Sequence, residues 1–196
     1  PPLRKSVLPS TVETTPETNQ PVLEQSPLPK LGDLFLLGEG FYHRGDFEQA
    51  RLYYNDFLKN HSEDARVPQA LLRMADMDFN QGAFASALRL TDFLLHNHAK
   101  SKSSWSALSL KGRCLFELGR TSEAESVFRN VLRANPGGKR RWEALSYLGK
   151  ISAMQSDPDQ ALKHLISIME SDAGEEMKSE TASLIRDLIF HGFRCV

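Results

Sequence analysis

Two short runs in this chain carry the residue types that hold phosphate groups. Gly38-Glu39-Gly40 begins like a nucleotide-binding loop and Gly137-Gly138-Lys139 ends like one, because close-set glycines expose backbone N–H groups and lysine adds charge. Neither run completes its motif. The first falls inside a stretch of helical apolar spacing with no strand before it; the second lacks an upstream glycine and the Ser or Thr that should follow the lysine. His96 and His98 are metal-ligand types, but residues two apart on a helix point in different directions. Cys114 and Cys195 lie 81 residues apart with no metal-ligand spacing, and Cys114 reads as a small core residue. The spacing gathers no nucleophile, base and orienting group. The expectation is a non-enzymatic chain with no cofactor and no metal.

Charge and length narrow the class further. Lys plus Arg number 24 against 25 Asp plus Glu, a net charge of −1, so no global field draws the chain to nucleic acid. No apolar run approaches the ~20 residues of a membrane span, and Pro1-Pro2-Leu3-Arg4-Lys5 lacks the apolar segment of a signal peptide. Because it opens on proline, the chain reads as a piece of a longer or processed protein.

The elements that would position any binding residue show themselves as an internal repeat. Ala50, Ala87, Ala124 and Ala161 recur every 37 residues. Gly38, Ala75, Gly112 and Gly149 keep the same interval, as do the turn residues Gly45, Gly82, Gly119 and Ser156. A small residue in each helix of a hairpin lets the backbones approach, with bulky residues three or four positions away filling the space beside them. Leu34 and Leu37, Leu71 and Met74, Leu108, and Leu145 and Leu148 serve on the first helices. Tyr54 and Phe57, Leu94 and Leu95, Phe128 and Val131, and Leu165 and Ile168 serve on the second. Asp46 with Gln49, Ser122 with Glu125, and Asp157 with Gln160 have capping-box spacing, and Pro158 suits a first helical position.

These signals predict helices over 31–44, 47–60, 67–81, 84–98, 102–118, 121–134, 139–155 and 158–170, with a ninth near 175–190 closing the array. The fold class is all-α: four helical hairpins near 31–67, 68–104, 105–141 and 142–172 plus a C-terminal capping helix, within a domain spanning 31–196. Residues 1–30, with seven prolines among Ser, Thr, Glu and Gln, read as an extended linker.

Leu108, Gly112, Leu115, Gly119, Ala124, Phe128 and Pro136 follow the pattern of the tetratricopeptide repeat, as do Leu37-Gly38, Phe41, Gly45, Phe47, Ala50 and Tyr54. The chain resembles that family over residues 31–170. The resemblance implies paired antiparallel helices stacked into a right-handed superhelix, with protein partners held on a concave face made by the first helix of each hairpin. Asp78 stands where the family has an aromatic, Lys111 where it has Leu and Ser156 where it has Gly. The longer period resembles arrays in bacterial cell-envelope proteins such as the Tol-Pal coordinator and the outer-membrane assembly lipoprotein. That implies a periplasmic or envelope-associated assembly role, the alternative being a cytoplasmic location. Family members that clamp a terminal carboxylate use Lys and Asn at set groove positions, where this chain has Phe35 and Glu39.

On that face one register position carries Glu39, Asp76, Arg113 and Lys150, and another carries Tyr42, Phe79, Phe116 and Ala153. Glu39, Tyr42, Asp76, Phe79, Arg113, Phe116 and Lys150 are therefore the expected partner-binding groove. Aromatics would anchor a protein or peptide ligand and the change from acidic to basic would set its direction. The competing reading makes these aromatics half-buried packing residues and the charges a solvated face. The expected role is an adaptor; the other is a regulatory or substrate-docking segment of a larger enzyme. Leu188-Ile189-Phe190 and Phe193 would give the last helix a self-association surface, and the Pro-rich segment could lie in a groove as a peptide mimic.

Overall fold

Eight of the nine helices of the described residues form four hairpins that follow one rule: a left-handed turn residue ends the first helix of a hairpin and the second starts two positions later. The computed structural model describes residues 33–134 and 137–191. The linker expected over 1–30, and Pro136, Phe193 and Cys195, lie outside the described residues. The helices are α1 (Asp33–His43), α2 (Phe47–Asn60), α3 (Val67–Asn80), α4 (Phe84–Asn97), α5 (Ser104–Glu117), α6 (Thr121–Arg133), α7 (Lys139–Met154), α8 (Pro158–Met169) and α9 (Glu175–His191). Each packs chiefly on its chain neighbours, and α3, α5 and α7 also touch one another in sequence.

Gly45, Gly82, Gly119 and Ser156 have φ of 78°, 75°, 72° and 60°. This left-handed step lets the next N–H reach back five residues: Asp46 to the Phe41 carbonyl at 3.0 Å, Ala83 to Asp78 at 2.8 Å, Arg120 to Leu115 at 2.8 Å and Asp157 to Ser152 at 2.9 Å. These bonds satisfy carbonyls at the end of the first helix and fix where the second begins. The N-caps are consequently Asp46, Ala83, Arg120 and Asp157. Asp46 accepts from the Gln49 N–H at 3.3 Å and Asp157 from that of Gln160 at 3.1 Å, as their spacing predicts. The expected cap at Ser122 is a correction. That residue lies one turn-step inside α6, because the register set by Gly119 places Arg120 at the cap, where no side chain bonds the free amides.

The hairpin interior shows how the small residues and the bulky ones four positions from the alanines fit together. A Cβ added to Gly38 would stand 2.8 Å from the Tyr54 ring, one on Gly112 2.7 Å from Phe128 Cζ, and one on Gly149 2.8 Å from Leu165 Cδ2. The glycines make room for a large side chain on the second helix. In the second hairpin the corresponding positions hold Ala75 and Thr91: where the first helix carries a methyl, the second carries a smaller residue. Thr91 is fully buried and satisfies its hydroxyl on the Leu88 carbonyl at 2.8 Å. Thr91 with Leu94 is thus the buried pair of α4, and Leu95, expected there, is only partly buried. Ala50, Ala87, Ala124 and Ala161 are all fully buried between the helices.

Asp78, in the place of the family aromatic, is buried and accepts an ion-paired hydrogen bond from Arg51 of α2, tying the first hairpin to the second. Cys114 is fully buried and burial pushes its thiol up to about 11, as befits a core residue.

Candidate peptide-binding face

The first helices lie side by side in parallel, and their polar side chains interlock. The Glu39 carboxylate accepts Arg73 Nε at 3.0 Å and its Nη2 at 3.2 Å, Gln69 Nε2 at 3.2 Å, and the Tyr54 hydroxyl at 2.5 Å. Burial would raise the Glu39 pKa, but the Arg73 and Tyr54 hydrogen bonds and the Arg73 charge together hold it below the ordinary carboxylate value. One turn on, the Tyr42 hydroxyl donates to Asp76, and the Arg73 guanidinium covers the Tyr42 ring at 4.6 Å. Burial, then the Asp76 carboxylate, pushes the Tyr42 phenol up to about 12.

The next repeat repeats the arrangement with different chemistry. Arg113 lies over the Phe79 ring at 4.1 Å, a cation–π contact, and stands 3.8 Å from Glu143 of α7. Burial raises the Glu143 carboxyl and Arg113 offsets part of that rise. Phe116 meets the edge of Tyr147 at 5.3 Å, Tyr147 stacks on Phe128 at 4.9 Å, and Lys150 reaches within 5.0 Å of the Tyr147 ring.

All seven expected groove residues stand on the first helices, yet they do not form two simple stripes. Partners across repeats are separated by 34 residues, as in Tyr42–Asp76 and Glu39–Arg73, or by one turn less, as in Glu39–Gln69 and Arg113–Glu143, not by the 37-residue period. Adjacent first helices are therefore staggered by about one helical turn, which brings a residue opposite one three places earlier in the next repeat. Arg73, Gln69, Glu143 and Tyr147 take part for that reason and were not singled out from the sequence. Pairing each charge or aromatic with its neighbour 34 positions on would have found Glu39–Arg73, Tyr42–Asp76 and Phe79–Arg113.

Between α3, α5 and α7 this face opens into a cleft of about 610 Å³. Of the expected seven, Asp76 and Arg113 line it, joined by Arg73, Lys139, Arg140 and Glu143. Glu39, Tyr42, Phe79, Phe116 and Lys150 are not among the lining residues. The two lining carboxylates already face Tyr42 and Arg113. Lys139 and Arg140 are exposed and make no ion pair among the described residues, so the cleft keeps an excess of positive charge. Gly137-Gly138 precedes α7 with no strand before it among the described residues, and Gly38-Glu39-Gly40 lies inside α1, so neither run has the strand–loop–helix setting of a phosphate loop there. Among the described residues no three His, Cys, Asp or Glu side chains converge as a metal site.

Sequence comparison matches this interlocking array to family models for the tetratricopeptide repeat over residues 34–64 and 72–139, together about half of the chain. The chain belongs to the tetratricopeptide-repeat family. The tetratricopeptide hairpins continue beyond the second match, since α7 and α8 keep the same turn, cap and glycine contact. The fold is shared with a tetratricopeptide repeat protein from Parabacteroides merdae, at TM-score 0.60 and 15% identity, over 80% of this chain and 58% of that one. A MamA RS-1 double mutant is similar at TM-score 0.55 and 19% identity, over 82% of this chain and 96% of that one. The chain thus spans a little over half the length of the first of these neighbours. At these identities the likeness concerns fold alone: a right-handed superhelix of helical hairpins. No curated protein matches the sequence significantly. Tetratricopeptide-repeat arrays generally mediate protein–protein interaction and are typically non-catalytic. No described helix is long and apolar enough to cross a membrane.

Proposed function

We infer that this tetratricopeptide array is a non-catalytic adaptor that receives an extended peptide on the face formed by α3, α5 and α7. The observation that carries this reading is the cleft, whose Lys139 and Arg140 make no close ion pair among the described residues while Arg113 is set between Phe79 and Glu143. Planar guanidinium donors held by a ring offer a carboxylate two parallel hydrogen bonds at little entropic cost. The apolar floor of Leu72 and Leu110 suits short aliphatic side chains. Tyr42, Phe79 and Phe116 act from outside the cleft, through their contacts with Asp76, Arg113 and Tyr147 on the neighbouring first helices, and Lys150 acts through Tyr147 on its own helix. Glu39 acts by holding Arg73.

Immobilised acidic and basic peptides of equal length provide the test. The wild type retains the acidic set, and Arg113→Glu/Arg140→Glu releases it while keeping its helical circular dichroism. Equal retention of both sets by both proteins contradicts the reading. The envelope setting rests on the 37-residue period, and fractionation of the native cells decides it: recovery in the periplasmic or envelope fraction supports it, and recovery in the cytosol refutes it. At the other end of the array Ile189 and Phe190 are 63% and 76% exposed, which supports self-association through α9.

A further inference from the structure

We propose that the cleft between α3, α5 and α7 is occupied in the resting protein by the chain's own acidic segment, Thr11–Glu24, so that an external partner must displace it. This rests on the peptide-binding reading above and names the first occupant of that site. Three observations carry it: charge, reach and direction.

Between Lys5 and Lys30 the sequence holds three carboxylates, Glu13, Glu17 and Glu24, and no cation. The cleft presents Arg73, Arg113, Lys139 and Arg140, and its own Asp76 and Glu143 are engaged with Tyr42 and Arg113. Segment and cleft are therefore complementary, although the whole chain has a net charge of only −1. Val12, Val22 and Leu23 alternate with these carboxylates closely enough to meet Leu72 and Leu110 on the floor.

The Glu39–Arg73 and Tyr42–Asp76 bonds advance together along α1 and α3, so these helices are parallel, and Phe79–Arg113 extends the order to α5. Arg113–Glu143 and Phe116–Tyr147 carry the same order to α7, so Asp33 at the start of α1 and Lys139 and Arg140 in the first turn of α7 lie on the same, N-terminal side of the parallel first helices. Glu24 precedes Asp33 by nine residues, an extended reach of about 30 Å. Three steps between first helices, at ~8–10 Å each, bring α1 to α7 within that reach. The segment carries proline at positions 16, 21, 27 and 29, a residue type that favours extended backbone and so lowers the entropy lost on docking.

Tethering gives the segment an effective concentration of about 1 mM. If the untethered segment binds at ~100 μM, such a tether weakens a competing peptide about tenfold. Full-length wild type is compared with Glu13→Gln/Glu17→Gln/Glu24→Gln, each titrated with a fluorescent synthetic peptide of residues 11–24. Carbodiimide coupling of the wild type, read by mass spectrometry, is run in parallel.

The proposal expects about tenfold tighter binding of the peptide to the triple variant. It also expects Lys139 of the wild type coupled within the same chain to Glu13, Glu17 or Glu24, and loss of that product in Arg113→Glu/Arg140→Glu. Equal affinities with no such coupling overturn the proposal but leave the cleft as a peptide site. No binding of the peptide to either protein overturns both. Mixing isotope-labelled and unlabelled chains separates same-chain coupling from coupling between two chains, and the latter also contradicts the proposal.

Discussion

Replacing Gly112 by alanine tests the packing rule that builds every hairpin. The added Cβ would meet Phe128 Cζ at 2.7 Å and Cε1 at 2.8 Å. The ring cannot withdraw easily, because Phe128 is fully buried and stacked on Tyr147 at 4.9 Å. Overpacking of this kind costs about 1–3 kcal/mol. Alanine recovers roughly 1 kcal/mol of helix propensity relative to glycine, so the net destabilisation is about 0–2 kcal/mol. Gly40 supplies the internal control, since it is helical, exposed and has nothing within 4 Å of an added Cβ. Gly40→Ala should therefore stabilise by roughly 1 kcal/mol. The difference between the two variants cancels the propensity and isolates the contact at about 1–3 kcal/mol, or several degrees in Tm for a chain of this size. Urea denaturation followed by circular dichroism measures it. Phe128→Thr recreates the Ala75/Thr91 combination of the second hairpin, and in that background Gly112→Ala should become stabilising. Equal stabilisation by Gly40→Ala and Gly112→Ala, or no change of sign with Phe128→Thr, would refute the rule.

Other expectations follow from single contacts. Ser156 holds φ of 60° where its equivalents are glycine, so Ser156→Gly should raise the unfolding free energy measured in urea by roughly 1 kcal/mol; a fall would mean that the serine side chain matters there. Asp46→Ala and Asp157→Ala should each cost about 1 kcal/mol through the lost cap, whereas Ser122→Ala should leave thermal stability unchanged. Arg51→Ala leaves Asp78 buried without its cation and should cost roughly 3 kcal/mol, the low end for a broken buried pair because Arg51 is partly exposed. Restoration by Asp78→Phe, the family's residue type, is the check. The Glu39 carboxyl has a folded pKa below its unfolded value of ~4.3, so its contribution is complete above that pH and disappears as pH falls through the folded pKa. Wild type should lose more stability than Glu39→Gln between pH 5 and pH 3 by urea titration, and parallel curves would contradict the assignment. Self-association through α9 should appear in light scattering and disappear in Ile189→Glu/Phe190→Glu; a monomer at high concentration removes it.

The fold was legible because its determinants are local and periodic. Gly45, Gly82 and Gly119 are needed for a left-handed step, and glycine is the residue type that takes it most easily, so their spacing marked each hairpin's turn. Apolar stripes then placed the helix ends within one or two residues of those observed. The caps were less legible. Ser122 with Glu125 has the right residue types, but the turn at Gly119 decides the start of α6, and the shared offset from Asp46 through Ala83 to Asp157 points to Arg120 instead. Thr91 was overlooked for a similar reason, because its fit depends on Ala75 across the hairpin and not on its own apolarity.

The helix that carries each of the expected groove residues was legible in the sequence, and the contacts each makes there were not. Register alone placed Glu39, Asp76, Arg113 and Lys150 on the first helices, but a period describes equivalence and not contact. Contacts depend on the stagger of neighbouring helices, which side-chain packing sets in three dimensions. That stagger hands the Glu39 carboxylate to Arg73 and leaves the free positive charge near Lys139 and Arg140, a location to which the charge order along one register position gave no clue.

Amide chemical-shift mapping of the 15N-labelled full-length protein against an acidic peptide tests the central claim most directly. The account predicts salt-sensitive perturbations concentrated at Arg73, Ser106, Arg113 and Lys139–Glu143, with the outer helices α2, α4 and α6 unmoved. Perturbations on the outer helices instead, or none at millimolar peptide in the triple Glu-to-Gln chain, would contradict it.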